Sequence, residues 1–498
     1  MAGASALGLS AGAAAAFANP LAVSANAIAR REPRLASRAA WPAGAHAATV
    51  SDDVPVPLHA FPDSATARIS HLLRRAGFGE TAAVRDRFAR LGVEGAVDHL
   101  LDYERIDDSA LDKRLASLAF DTAKPRDLMR WWLVRMVHTQ RPFLEKIVLF
   151  WHGLLTSGFQ KVGQGPQMFN QNQLFRNHAV DRYGVLLKAV SRDPAMLSWL
   201  DSRSNRKSAP NENFARELME LFTMGPGNYT ERDVRESARA FTGWGLREKS
   251  FFFRAGQHDY GVKQFLGRSG RFDGDGIIDI VLEQPAASWY IARRLFEFFA
   301  YDGPSDETIA PFATTLRESG FSIKATVRRI LTSDEFFSGR AYRAKIKGPA
   351  ELVAGAFRTL GLETDGRGLD GLIGAMGQTL FLPPDVAGWA GGSSWINSTT
   401  LLHRVNFAHH LSSAVRRQLQ QQLPRARVEA YRADRQARIE GMIALLLDGE
   451  LAPDQRRVLD EFIQQAEGGT KRHGVRQEAD LLSNVDYLIL ASPDYQLA

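Results

Sequence analysis

The 498-residue chain contains no cysteine. Disulfides, thiolate zinc sites, iron–sulfur clusters and a cysteine nucleophile are thereby excluded, and any metal would have to use histidine, carboxylate or amide ligands. Four catalytic signatures are missing too: the Gly-rich phosphate loop, the dinucleotide fingerprint, the Gly-x-Ser-x-Gly elbow and the His-Glu-x-x-His helix. Nucleotide hydrolysis, hydride transfer, serine esterase chemistry and zincin proteolysis therefore have no motif behind them. Strong charge of one sign is absent: 62 Lys and Arg face 56 Asp and Glu, a net +6. On a chain of this length that balance implies no nucleic-acid partner. No apolar run is long and hydrophobic enough to predict a transmembrane segment in the mature chain.

What is present is an ordinary globular composition, 45% apolar and 24% charged, sufficient to bury a core without disulfides or metals. Length alone suggests two domains, but helical periodicity runs through the chain with little interruption. The expected fold class is mainly α: a large multi-helix single domain with one small β-hairpin. Residues 1–48 form a separate segment. Ala2–Pro20 is rich in Ala, Gly and Leu like the core of a signal peptide, although no basic start precedes it. Small-x-small sites follow at Ala25–Ala27 and Ala45–Ala47. The expectation is an exported, periplasmic or extracellular protein; the alternative is an Ala-rich tail on a cytoplasmic one. Residues 49–64 read as linker, and the helical domain as 65–498.

Ser64 or Asp63 caps the first helix, in which Ile69, Leu72, Leu73 and Ala76 recur at helical spacing. The run PFLEKIVLFWHGLL after Arg141 is apolar on nearly every face and predicts a buried helix. Strand signals concentrate at Phe251–Arg254 and Val262–Phe265, which predicts a hairpin pairing the two around Gly261. The stretch FLPPDVAGWAGGSSWIN is aperiodic and carries Trp389 and Trp395. It predicts an ordered loop packed over another part of the molecule. A helix near 416–438 bears Arg416, Arg417, Arg425, Arg427, Arg432, Arg435 and Arg438, a solvated face first and a dock for an acidic partner second.

Eight strings, in this order, carry a family resemblance: HLLRRAGFG at 71–79, FWHG at 150–153, PNENFARELMELFTMG at 210–225, NYTERDV at 228–234, ARAFTGW at 238–244, HDYGVK at 258–263, PPDVAGW at 383–389 and SPDYQL at 492–497. Together they resemble the domain-of-unknown-function 1800 family. The resemblance implies a bacterial, exported, helical protein and names no reaction or cofactor. The family's Trp-His segment is expected to carry a second histidine two residues on; here Leu154 occupies that place, so a His-x-His metal pair is absent.

The densest polar segment runs from Asp201 to Glu220. Asn211 is a natural N-cap for the helix that follows, and at 100° per residue Asn213, Glu217 and Glu220 fall within about 60° of one another, beside an apolar stripe. Carboxylates and an amide on one face can bind a metal, hold sugar hydroxyls or supply an acid and a base; the structural alternative is pairing with Arg216 or Arg203. Upstream, Asn172 and Arg176 share a helix face and, with His152 and His178, can form a wall that recognises a sugar, carboxylate or phosphate. A lone histidine such as His152 on an apolar helix is more often a satisfied core residue. At 258–263 Asp259 can orient His258, or simply close a turn before Gly261.

Two functions follow as expectations. One is a hydrolase acting on an extracellular, carbohydrate-like polymer. It would use Glu217 and Asp201 as acid/base groups, His152 or His178 assisting, and Asn172, Arg176, Asn205, Asn211, Asn213, His258, Asp259 and Trp389 as substrate contacts. The other is a non-catalytic module that grips a glycan or partner protein with the same amides and aromatics. Residue types alone fix neither metal nor cofactor.

Overall fold

The computed structural model describes residues 60–422, 435–468 and 475–498. The signal-like segment and most of the linker lie outside them, as do Arg425, Arg427 and Arg432 of the Arg-rich helix. Among the described residues are 22 α-helices and two two-stranded antiparallel sheets, so the molecule is mainly α, as its periodicity predicts.

Local sequence sets the helix starts. Ser64 Oγ accepts the N–H of Ala67 at 3.3 Å and opens Ala65–Arg75. Thr230 and Asp233 cap each other's backbone ahead of Glu231–Ala240, satisfying donors that a helix start otherwise leaves bare. Proline begins Pro125–His138, Pro142–Leu154, Pro285–Phe299 and Pro349–Thr359, where its missing N–H removes no bond.

One continuous apolar cluster runs from Ile69 to Tyr495. Pro142–Leu154 lies within it, with every residue but Gly153 buried, and packs against Gly165–Asn177 and Pro125–His138. Toward the C-terminal end Ser398–Gln422 lies along Val475–Ala491.

The β-structure differs from expectation. Phe251–Arg254 does not pair with Val262–Phe265; each strand instead takes its nearest chain neighbour. Strand β1 (Trp244–Arg247) pairs with β2 (Ser250–Phe253), and β3 (Lys263–Phe265) with β4 (Arg268–Gly270). Both hairpins close through two residues at positive φ, Glu248 and Lys249 at 49° and 68°, and Leu266 and Gly267 at 45° and 78°. That is the backbone a two-residue hairpin needs, but only Gly267 signals it in sequence.

Candidate functional site

The last turn of Pro142–Leu154 is where chain segments distant in sequence converge. Gly388 has φ +82°, and a Cβ built on it would stand 2.5 Å from the Gly153 carbonyl oxygen, so glycine permits both the conformation and the approach. Thr156 Oγ1 donates to the Val386 carbonyl at 2.5 Å and Gln160 Nε2 to that of Pro383 at 2.8 Å. These bonds seat the PPDVAGW loop on the helix and bring the Trp389 ring to 5.5 Å from His152. Two of the family-like strings, FWHG and PPDVAGW, thus meet.

Beneath Trp389 lies a cavity of about 190 Å³, bounded by Phe150, Gly153, Phe298, Gln378 and Trp395 and by six charged residues: Arg75, Arg294, Glu297, Asp302, Lys345 and Glu351. Most of these charges are committed. Lys345 pairs with Asp302 and Lys146 with Glu351. Burial alone would raise the Glu351 carboxyl, but Lys146 and Arg75 overcome it and hold it at about 2. Arg75 donates from Nε to the Phe299 carbonyl at 2.8 Å and from Nη2 to those of Phe298 and Ala300 at 3.2 and 3.0 Å, neutralising the carbonyl end of Pro285–Phe299.

Other groups are uncommitted. Arg294 makes no hydrogen bond or ion pair with any described residue, and its Nε is buried without a partner. Glu297, one turn along the same helix, forms no ion pair with it. Burial pushes the Glu297 carboxyl up, Arg294 pulls it back, and Asp302 raises it again. Gln378 is 6% exposed and uses its Oε1 on the Ala350 N–H at 2.9 Å. Its Nε2, like Arg75 Nη1 and Trp395 Nε1, has no partner among the described residues.

The residues expected to act divide between this neighbourhood and others. His152 is buried, packed edge-on or tilted against Trp132, Phe381 and Trp389, and its Nε2 accepts the Phe381 N–H at 3.1 Å. Burial brings its pKa down to about 3, so it is a neutral core residue. Arg176 faces no ligand: it donates to both Glu145 oxygens at 3.0 and 2.8 Å, and Arg135 adds a third bond at 3.1 Å. Asn172 is buried, and neither amide atom has a partner. His178 is half-buried at the helix end, with Nδ1 2.7 Å from Asp181. The polar wall expected from Asn172, Arg176, His152 and His178 is therefore not formed as one surface.

The middle-third loop comes together, but chiefly on itself. Asn205 Oδ1 accepts the Asn211 N–H at 2.9 Å, Asn211 Nδ2 donates to the Asp201 carbonyl at 3.2 Å, and Asn213 Nδ2 reaches Asp201 Oδ2 at 3.4 Å. Lys161 holds the same Asp201 oxygen at 2.7 Å. Asn211 is not the N-cap: the helix is Asn213–Glu220 with Glu212 at the N-cap, and Asn211 Oδ1 accepts the N–H of Asn213, the first helical residue, at 2.9 Å. Glu220 accepts from Tyr229 at 2.7 Å, while Glu217 has no side-chain hydrogen bond or ion pair among the described residues. Half-burial, then Glu220, raise Glu217 to about 7. His258 and Asp259 do not pair. His258 Nδ1 donates to the Thr242 carbonyl at 2.8 Å, and Asp259 is held by Arg239 at 2.7 and 3.3 Å and by the Gly261 N–H at 2.8 Å. The turn-forming role of Asp259 is the one that holds.

Of the residues that line this cavity, the sequence reading named Trp389 and not Arg75, Arg294 or Glu297. Arg75 sits in the HLLRRAGFG string, a signal that was there to use. Arg294 and Glu297 lie on an amphipathic helix in no family-like string. Among the described residues no three His, Asp or Glu group closely enough to hold a metal ion, and no helix is long and apolar enough to cross a membrane. A family model described as "Protein of unknown function (DUF1800)" matches residues 71–497. No curated protein and no solved structure matches the chain.

Proposed function

This chain belongs to the DUF1800 family, whose description assigns no activity, and we propose that it binds saccharide, seating one sugar ring beneath Trp389. The observation that carries this reading is the cavity itself: Phe150, Phe298, Trp389 and Trp395 line it together with Gln378 and with Arg294, which has no hydrogen-bond or ion-pair partner among the described residues. Stacking faces with a few unspent polar groups suit sugar recognition. At about 190 Å³ the cavity is smaller than the ~300–1,000 Å³ typical of drug-sized sites. It suits a chain end rather than the middle of a polymer.

Binding is favoured over hydrolysis by the state of the carboxylates. A two-carboxylate glycosidase needs an acid and a second free carboxyl across the scissile bond. Of the three at this cavity, Asp302 and Glu351 are ion-paired to lysines, leaving Glu297. Glu217 and Asp201, the acid/base candidates from sequence, are not among the cavity's lining residues. Export completes the proposal, since Ala2–Pro20 resembles a signal core and extracellular glycan would then be within reach; fractionation of cells producing the protein tests it.

The test of binding is a fluorescence titration of the full chain with a panel of neutral and acidic oligosaccharides. The expected result is saturable quenching, lost in Trp389→Ala while the far-ultraviolet circular dichroism stays helical. If no saccharide in the panel changes the emission, and none shows heat on calorimetric injection, the reading fails.

A further inference from the structure

The unspent groups around the cavity are not a balanced set. Four are donors: the Arg294 guanidinium, Arg75 Nη1, Gln378 Nε2 and Trp395 Nε1. Arg75 and Gln378 are 2% and 6% exposed, so their side chains are held in place, whereas Arg294 is half-buried and only its Nε is closed off from solvent. Against them stands one free acceptor side chain, Glu297. The lining carries three cations, Arg75, Arg294 and Lys345, and three carboxylates, Glu297, Asp302 and Glu351; because Lys345 pairs with Asp302 and Lys146, outside the lining, pairs with Glu351, two guanidiniums are left to one carboxylate. Burial also pushes Glu297 toward its protonated form, in which it becomes a fifth donor.

We infer that the ligand is an anionic sugar, its carboxylate received by Arg294 and Arg75 while its ring stacks against Trp389. This rests on the saccharide-binding reading and names the class of saccharide. Arg294 is half-buried, lines the cavity and has no acceptor among the described residues, and a planar carboxylate matches the guanidinium fork and gains charge-assisted bonds. A neutral sugar would forgo those charge-assisted bonds, and that difference is what discriminates against it. Gln378 and Trp395 supply donors for ring and hydroxyl oxygens in the same pocket.

The experiment compares the full chain's affinity for oligogalacturonate and oligomannuronate with that for their methyl esters, which keep the shape and lose the charge. The expected result is at least about tenfold tighter binding of an acid than of its ester. Arg294→Gln should erase that preference without altering the melting temperature by more than a degree or two. Arg294→Lys, which keeps charge but not the fork, should restore part of it. Equal binding of acid and ester overturns the anionic inference while the cavity reading stands. Binding of neither, with Trp389 emission unmoved, overturns both.

Discussion

His152 Nε2 accepts the backbone N–H of Phe381 at 3.1 Å, which fixes the ring in the tautomer with its proton on Nδ1 and forbids a second one. Burial carries its pKa from 6.5 to about 3. In between, the unfolded chain binds a proton that the folded chain refuses. The stability from this ring is therefore complete above pH 6.5 and is lost progressively as pH falls from 6.5 toward 3, at about 1.4 kcal/mol per unit. His71, also buried and also lowered first by desolvation, adds to the same slope. In His152→Leu the slope should become shallower by its share, while the orphaned Phe381 N–H costs about 1–3 kcal/mol at pH 8. Urea denaturation from pH 5 to 8 reads both effects; an unchanged slope would assign the acid sensitivity to other groups.

Glu145 is the hub of a buried network in which Arg176, Arg135 and Trp132 Nε1 all donate to one carboxylate. Removing its charge strands two guanidiniums inside the core. Glu145→Gln is expected to destabilise by about 3–5 kcal/mol. The exposed pair of Arg216 with Glu231, although bidentate at 2.7 and 2.8 Å, should change stability by less than about 1 kcal/mol in Arg216→Gln. Denaturation midpoints of the two variants, measured together, separate a buried ion pair from a solvated one.

What the sequence made legible follows from where information is local. Pro142–Leu154 is readable because a helix apolar all round must be buried, and the modest role of His152 follows from the same fact. The loop carrying Trp389 is readable as ordered because prolines and glycines alternate with aromatics. The hairpins were misassigned because Glu248 and Lys249 take positive φ without the glycine or asparagine that advertises it. The cavity beneath Trp389 was not legible for a deeper reason. The Asp201–Glu220 segment is rich in polar groups, but they satisfy one another, and sequence counts groups rather than the ones left over. Arg294 stands out because no described residue hydrogen-bonds or ion-pairs with it, and that depends on which residues the fold brings beside its helix.

Gly388 is the point at which the Trp389 loop touches the buried helix. Gly388→Ala would put a methyl into the Gly153 carbonyl and strain a backbone at φ +82°, an expected loss of about 1–3 kcal/mol. The loop rather than the helix should give way, so Trp389 emission should shift to the red and saccharide affinity should fall while helical content holds. Gly392, with nothing within 4 Å of a Cβ, provides the comparison: Gly392→Ala strains only its own φ of +54° and should leave the Trp389 emission in place. If both variants retain native emission and affinity, the Gly388–Gly153 approach does not position Trp389.

Glu217 and Glu220 share one exposed-edge face, and the carboxylate with no partner bears the strain. Half-burial, then the neighbouring charge of Glu220, raise Glu217 from 4.5 to about 7. The folded chain thus holds a proton there that the unfolded chain releases between those values. Ionised Glu217 opposes folding, and the opposition grows as pH rises from 4.5 through 7. Glu217→Gln should therefore melt higher than the parent at pH 8 and equal to it at pH 4. Because the residue is not part of the Trp389 cavity, the same variant should bind saccharide with unchanged affinity. Scanning calorimetry at the two pH values, with one titration at pH 7.5, checks both halves. A loss of affinity in Glu217→Gln would move the ligand from Trp389 to the middle-third helix and reopen the case for acid/base chemistry there.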